Sequence, residues 1–143
     1  KNKYEEMVIN YYPSISRIAV LFFDLNDLKI INDKLGHAMG DRTLKKLASI
    51  LNSFSNERCR TYRIGGDEFL LILDNPESGY PEMLLTDIRR KIKQANASEE
   101  VRIIAAAGLA YGTGKNILEV VKEADAKMYE CKKDMKRNAI RNK

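Results

Sequence analysis

Arg63-Ile64-Gly65-Gly66-Asp67-Glu68-Phe69-Leu70-Leu71-Ile72-Leu73 is the stretch on which the reading of this chain turns. A Gly-Gly pair between apolar runs predicts a β-hairpin, because glycine reaches the positive φ of a tight primed turn without strain. Two carboxylates, Asp67 and Glu68, follow the turn directly, and then comes an apolar run fit for a buried strand. Adjacent acids beside glycines, where a ligand can lie close to the backbone, suit a metal or phosphate site. A polar hairpin tip accounts for the same letters.

A second stretch shifts the balance. Asp24-Leu25-Asn26-Asp27-Leu28-Lys29 follows the unbroken apolar run Ile18-Ala19-Val20-Leu21-Phe22-Phe23, which has the length and the β-branched and aromatic content of a central strand. Asp24 should therefore sit at the C-terminal end of a buried strand, where a lone carboxylate is costly unless paired or metal-bound. Asp24 and Asp67 could then meet across neighbouring strands and hold a hard cation such as Mg²⁺ through oxygen ligands.

With these residues in view, the chain resembles the GGDEF domain, the catalytic domain of diguanylate cyclases. The likeness runs through Asp24 to Lys29, Ile31-Asn32-Asp33, Gly36-His37, Gly40-Asp41, Gly65-Gly66-Asp67-Glu68-Phe69, Ala124-Asp125 and Met128-Tyr129. Several motifs in the right order are far more specific than one five-letter match.

The chain has 143 residues, 44% of them hydrophobic, which is enough for one domain with a real core, taken as 1–143. No apolar stretch approaches the ~20 residues that span a bilayer, and no signal peptide is visible. Cys59 and Cys131 have no metal-like spacing and read as reduced thiols of a cytoplasmic domain. The lone His37 gives no zinc site. Net charge is +5, and from Lys122 to Lys143 eight Lys or Arg face four Asp or Glu, a net of +4. That basic end lacks the interleaved aromatics that stack bases, so no nucleic-acid partner is expected. A phosphate-bearing small ligand or a solvated helix face explains it equally well.

Lys1 to Tyr12 has helical spacing and stops before Pro13. Asn26 to Leu35 reads as a short helix ended by Gly36 as an αL cap. Gly40-Asp41 then opens a helix with Leu44, Leu47, Ala48, Leu51 and Phe54 on one face, and Asp41 suits its N-cap. Glu57–Ile64 and Phe69–Leu73 form the hairpin strands. An outer helix over Met83–Ala95 follows a loop at Asp74–Gly79. Val101, Ile103, Ala105, Ala107 and Leu109 alternate as a fourth strand packed on both faces. Gly112-Thr113-Gly114 is no P-loop. Asn116 and Glu119 resemble a capping box, and the last helix buries Ile117, Val121, Ala124, Met128 and Cys131. These elements fit an α+β domain with a mostly antiparallel sheet flanked by helices, similar to the palm of nucleotidyl cyclases and polymerases.

The resemblance implies the reaction 2 GTP → cyclic di-GMP + 2 pyrophosphate, run by two domains face to face, each holding one GTP. It implies Mg²⁺ or Mn²⁺ held by Asp24, Asp67 and the carbonyl of Leu25, with Asp67 and Glu68 as catalytic carboxylates. It places the α-phosphate against Gly65 and Gly66, the guanine on Asn32 and Asp41, and the terminal phosphates on Lys29 and Lys132. It also implies a homodimer as the active form and an N-terminal sensor in the full-length protein, which can be membrane-anchored although this domain makes no membrane contact. The family's upstream Leu-Thr-Gly-Leu-x-Asn-Arg turn is absent.

Three departures stand out. Asn26 replaces a frequent aspartate, with little effect expected because it is not the metal ligand. The family's Lys-x-x-Gly-Arg-Asn becomes Lys132-Lys133-Asp134-Met135-Lys136-Arg137-Asn138, so Lys136, or Arg137 after a one-residue shift, stands in for the phosphate-binding arginine. The Arg-x-x-Asp pair that binds product in many relatives falls here on Asn56 and Cys59, neither of which can do that job. A cyclase is the favoured reading. A catalytically weak GTP-binding regulatory module is the alternative, and a polymerase palm is disfavoured because no fingers or thumb fit in this length.

Overall fold

The computed structural model describes residues 2–98 and 102–141. Its centre is β1 (Ile18–Leu25), all eight residues of which are buried. With β2 (Cys59–Arg63), β3 (Glu68–Asp74) and β4 (Ala105–Gly112) it forms a four-stranded antiparallel sheet in the order β2-β3-β1-β4. Side chains alternate across a strand, so Ala19, Leu21, Phe23 and Leu25 enter one core and Ile18, Val20 and Phe22 the other. The first core is closed by α3 (His37–Asn52), through Leu47, Ile50 and Leu51, and by α4 (Tyr80–Ser98), through Leu84 and Ile88. The second is closed by α5 (Ile117–Arg141), through Ile117, Val120, Ala124 and Met128, and by Tyr12 beyond α1 (Asn2–Asn10). Covered on both faces, β1 is apolar from Ile18 to Phe23, up to Asp24 at its C-terminal end. That is why it reads as a continuous run rather than an alternation.

α5 lies directly on β4. A Cβ at Gly108 would come within 2.2 Å of the Ala124 carbonyl oxygen and 2.3 Å of the Met128 nitrogen, so only glycine admits this approach. The first face of β4 carries Ala105, Ala107 and Leu109 and the second Ala106 and Ala110, which gives the two-sided packing expected. The strand starts at Ala105, with Ile103 buried just before it, while Val101 lies outside the described residues.

Three local expectations are corrected. Neither Gly65 nor Gly66 has a positive φ. Four residues, Ile64 to Asp67, separate the strands, so the reversal is spread over a longer loop and no primed turn is needed. Gly65 instead leaves room for the Glu68 side chain, whose flexible end, Oε1, a Cβ there would meet at 2.6 Å. Gly36 has φ +91° but ψ 159°, an extended rather than αL conformation, and it ends α2 (Leu28–Leu35) while also preceding α3. α3 therefore starts at His37, and Asp41 lies inside it instead of capping it. The left-handed residue at this corner is Asp27 (φ 62°, ψ 23°), which turns the chain out of β1 into α2, and aspartate tolerates that conformation better than most residues.

At the far end of β3 from the Gly-Gly loop, Tyr11 and Arg60 both donate to the buried Asp74, and the Tyr12 and Tyr62 hydroxyls meet at 2.8 Å. These bonds tie the N-terminal segment to the sheet. No helix among the described residues is long and apolar enough to cross a membrane.

Candidate active site

The C-terminal end of β1 and the start of β3 bring the carboxylates together. Asp24 lies directly across from Glu68, on the α5 side of the sheet by alternation from Phe22. The Gly-Gly loop folds back onto the same edge, where the Leu25 N–H donates to the Asp67 carbonyl at 2.9 Å. Lys132 reaches down from α5, its Nζ 3.2 Å from Asp24 Oδ2.

Asp24 is only 7% exposed, and its Oδ1 is buried with no hydrogen-bond partner. Burial pushes its carboxyl above the ordinary range; the Lys132 hydrogen bond opposes this and the neighbouring Asp67 adds to it. Glu68 is raised as well, by burial first and then by the charges of Asp24, Asp67 and Asp125, with Lys132 opposing. Several acids therefore crowd one lysine, leaving net negative charge and an orphan oxygen in a poorly solvated corner.

Such a donor set fits a hard divalent cation, which favours carboxylate oxygens and relieves like-charge repulsion. Among the described residues no three Asp, Glu, His or Cys groups form a ready-made metal set. A cation held by Asp24 and Asp67 would therefore need further oxygens from the backbone, water or a phosphate.

Asn32 and Asp41 form a second pair. Asn32 on α2 is half-buried, and its Oδ1 lies where a Cβ on Gly40 would stand, 1.8 Å away. Gly40 thus lets α2 and α3 cross closely, with exposed Asp41 on the next position. Lys29 and Lys136 are both exposed, and among the described residues no hydrogen bond or ion pair joins either to the carboxylates. Arg137 is engaged with Asp134 at 2.7 Å on the same helix, so Lys136 is the freer of the two stand-ins for the family arginine.

Asn26 and Met135 were not expected at the site. Asn26 is 5% exposed, and its Nδ2 donates to Met135 Sδ at 3.7 Å. Strand parity was the available signal, since Asn26 lies two residues after Asp24 and hence on the same face.

The far end of the sheet is different. Asn56 and Cys59 exchange two backbone hydrogen bonds (2.8 and 3.2 Å) and line a cavity of about 250 Å³ with Leu73, Pro76 and Tyr80. Cys59 is buried, and burial pushes its thiol up to about 11. Arg58 donates to the Asn75 carbonyl at 2.6 Å and Arg60 to Asp74 at 3.2 Å, so both are spent on internal partners.

A family model described as diguanylate cyclase, GGDEF domain, matches residues 5–138. The chain is 36% identical over 126 residues to the bifunctional diguanylate cyclase/cyclic di-GMP phosphodiesterase MucR of Pseudomonas aeruginosa, covering 85% of this chain and 18% of that protein. It is 34% identical over 132 residues to the signaling protein YkoW of Bacillus subtilis, covering 87% of this chain and 16% of that one. It thus spans under a fifth of the length of either relative. The solved active GGEEF domain of a diguanylate cyclase from Vibrio cholerae superposes with a TM-score of 0.72 at 25% identity, over 83% of this chain and 78% of that one. The antiparallel sheet with helices on both faces, the carboxylate-lined strand ends and these matches agree: the chain belongs to the GGDEF domain family.

Proposed function

We propose that this domain is a diguanylate cyclase that condenses two GTP molecules into cyclic di-GMP and two pyrophosphates, working as a face-to-face pair. The observation that carries the reading is the buried, half-partnered Asp24 facing Glu68 and Asp67 beside the Gly-Gly loop. The names of relatives such as MucR support it.

Each 3′-hydroxyl attacks the α-phosphorus of the other nucleotide. A new P–O bond forms, the α–β bridge breaks, and pyrophosphate leaves. Asp24, Asp67 and the Leu25 carbonyl hold Mg²⁺ or Mn²⁺, which when bound neutralises charge on the phosphate oxygens. Exposed Gly66 leaves room for the α-phosphate against the loop. Asp67 and Glu68 flank the attacking hydroxyl, and the raised proton affinity of Glu68 suits it to take the proton. Asn32 and Asp41 read the N1–H and N2–H donors of guanine, while Lys132, Lys29 and Lys136 steady the outer phosphates as flexible point charges.

The purified domain incubated with GTP and Mg²⁺ or Mn²⁺ should release cyclic di-GMP, resolved by chromatography. Its rate per molecule should rise with protein concentration, because each domain holds half of the reacting atoms. A rate per molecule unchanged over a hundredfold dilution, with a monomer throughout, would refute the pairing.

One observation favours a second reading, a GTP-binding regulatory module. α5 runs unbroken through Met135, and Arg137 is paired to Asp134, which weakens the phosphate grip. That reading requires GTP binding without cyclic product.

A further inference from the structure

Two residues that depart from the family pattern, 109 positions apart in sequence, touch each other in the fold. The ladder continues past β1, since the Asn26 N–H donates to the Ile104 carbonyl at 2.6 Å, and its side chain faces α5. There Met135 Sδ accepts from Asn26 Nδ2 at 3.7 Å and from the Cys131 thiol, one turn back, at 3.9 Å. Lys132, between these two sulfur residues, reaches Asp24 at 3.2 Å. Successive residues on one face of the strand end are thus each gripped from α5, Asp24 by Lys132 and Asn26 by Met135.

Residue chemistry explains the pairing. A carboxylate at position 26 would offer the thioether no donor and would bury a second charge beside Asp24, whose Oδ1 already lacks a partner. An amide donates to the sulfur and adds no charge, and its own Oδ1, buried without a partner, costs less than an ionised oxygen there would. Glycine at position 135 would remove the acceptor and weaken the helix just past Lys132.

We propose that Asn26 and Met135 form a matched clamp that holds the end of α5 against β1 and so positions Lys132 over Asp24. The expectation that Asn26 matters little leaves its burial and its bond to Met135 unexplained. The role of Lys132 rests on the nucleotide-and-metal reading above, whereas the clamp itself is tested without ligand.

The test is a pair of double-mutant cycles. In the first, ligand-free melting temperatures are compared for wild type, Asn26→Asp, Met135→Gly and the double variant. Asn26→Asp should melt several degrees lower, and the double variant should lose less than the sum of the single losses. Additive losses would sink the clamp. In the second, Met135→Gly should raise KM for GTP roughly tenfold, the weight of one charge-assisted contact, with kcat moved less. In a Lys132→Ala background the same substitution should leave KM unchanged, because its effect passes through Lys132. A tenfold rise that persists without Lys132 would overturn the positioning role. Where turnover is absent, the rise in melting temperature produced by GTP with Mn²⁺ serves as the readout. A wild-type chain unmoved by GTP refutes the nucleotide reading and the role of Lys132, while the first cycle still decides the clamp. Should Met135→Gly fail to fold, Met135→Leu, which keeps the volume and removes the acceptor, takes its place in both cycles.

Discussion

Asp24→Asn should abolish cyclic di-GMP formation while leaving the ligand-free domain as stable as wild type or more so. The side chain is 11% exposed and Lys132 is 26% exposed, so the pair sits between surface and interior. Burying a polar oxygen without a partner costs about 1–3 kcal/mol, and more when it is charged, and a partly exposed ion pair returns about 0–1 kcal/mol. The amide removes the charge, keeps one oxygen for Lys132 and turns the orphan acceptor into a donor beside the Asp67 carboxylate, so it should gain about 0–3 kcal/mol by these magnitudes. At about 3 °C per kcal/mol for a chain of this length, the melting temperature should match wild type or exceed it by up to about 9 °C. The sign with pH follows from linkage. The folded carboxyl is raised above its unfolded value, so the folded state binds this proton more tightly than the unfolded chain does. Asp24 therefore costs stability that appears as pH rises from the unfolded value through the raised folded one. The advantage of the variant should thus be full at neutral pH and shrink on acidification. Scanning calorimetry at two pH values checks this, and repeating it with Mn²⁺ should raise the melting temperature of wild type only. A variant that melts many degrees lower without metal, or that still makes product, would refute the reasoning.

Other outcomes can be checked separately. Gly108→Ala drives a methyl into the α5 backbone and should destabilise by about 3 kcal/mol or more, beyond ordinary overpacking, as read by urea denaturation; a loss under 1 kcal/mol would contradict the close approach. Gly40→Ala displaces the Asn32 amide and should lower discrimination of GTP over ATP more than it lowers stability; equal use of both nucleotides by wild type would sink the base-reading role. Cyclic di-GMP should not bind tightly at Asn56 and Cys59, because Arg58 and Arg60 are already engaged; calorimetry showing submicromolar binding that Arg58→Ala or Arg60→Ala removes would overturn this. Cys131 should react with a thiol reagent well before buried Cys59, whose thiol is pushed up to about 11; faster labelling of Cys59 would contradict its burial.

Much of the fold was legible in the sequence because its signals are local and periodic. The apolar run Ile18–Phe23 announced a strand covered on both faces, and the stripe through Ala124 and Met128 announced a helix with one buried side. Asp24, Asp67 and Glu68 were legible from the motifs around them. Local conformation at glycines was less so, since glycine allows many backbone angles and marks more than one need. Gly65 read as a primed turn but makes room for the Glu68 carboxylate, and Gly40 read as a helix start but makes room for Asn32. The approach of Asp67 to the end of β1 was anticipated, but the contacts that α5 makes could not be read. Lys132 meets Asp24 over 108 positions and Met135 meets Asn26 over 109. Neither spacing has a period, and both are set by how α5 crosses the sheet on Gly108. The sequence alone offered the candidate residue types for a cation and a guanine. Tertiary packing decided which of them share a face, because only close approach in a poorly solvated corner turns separate acids, an amide and a lysine into one electrostatic unit.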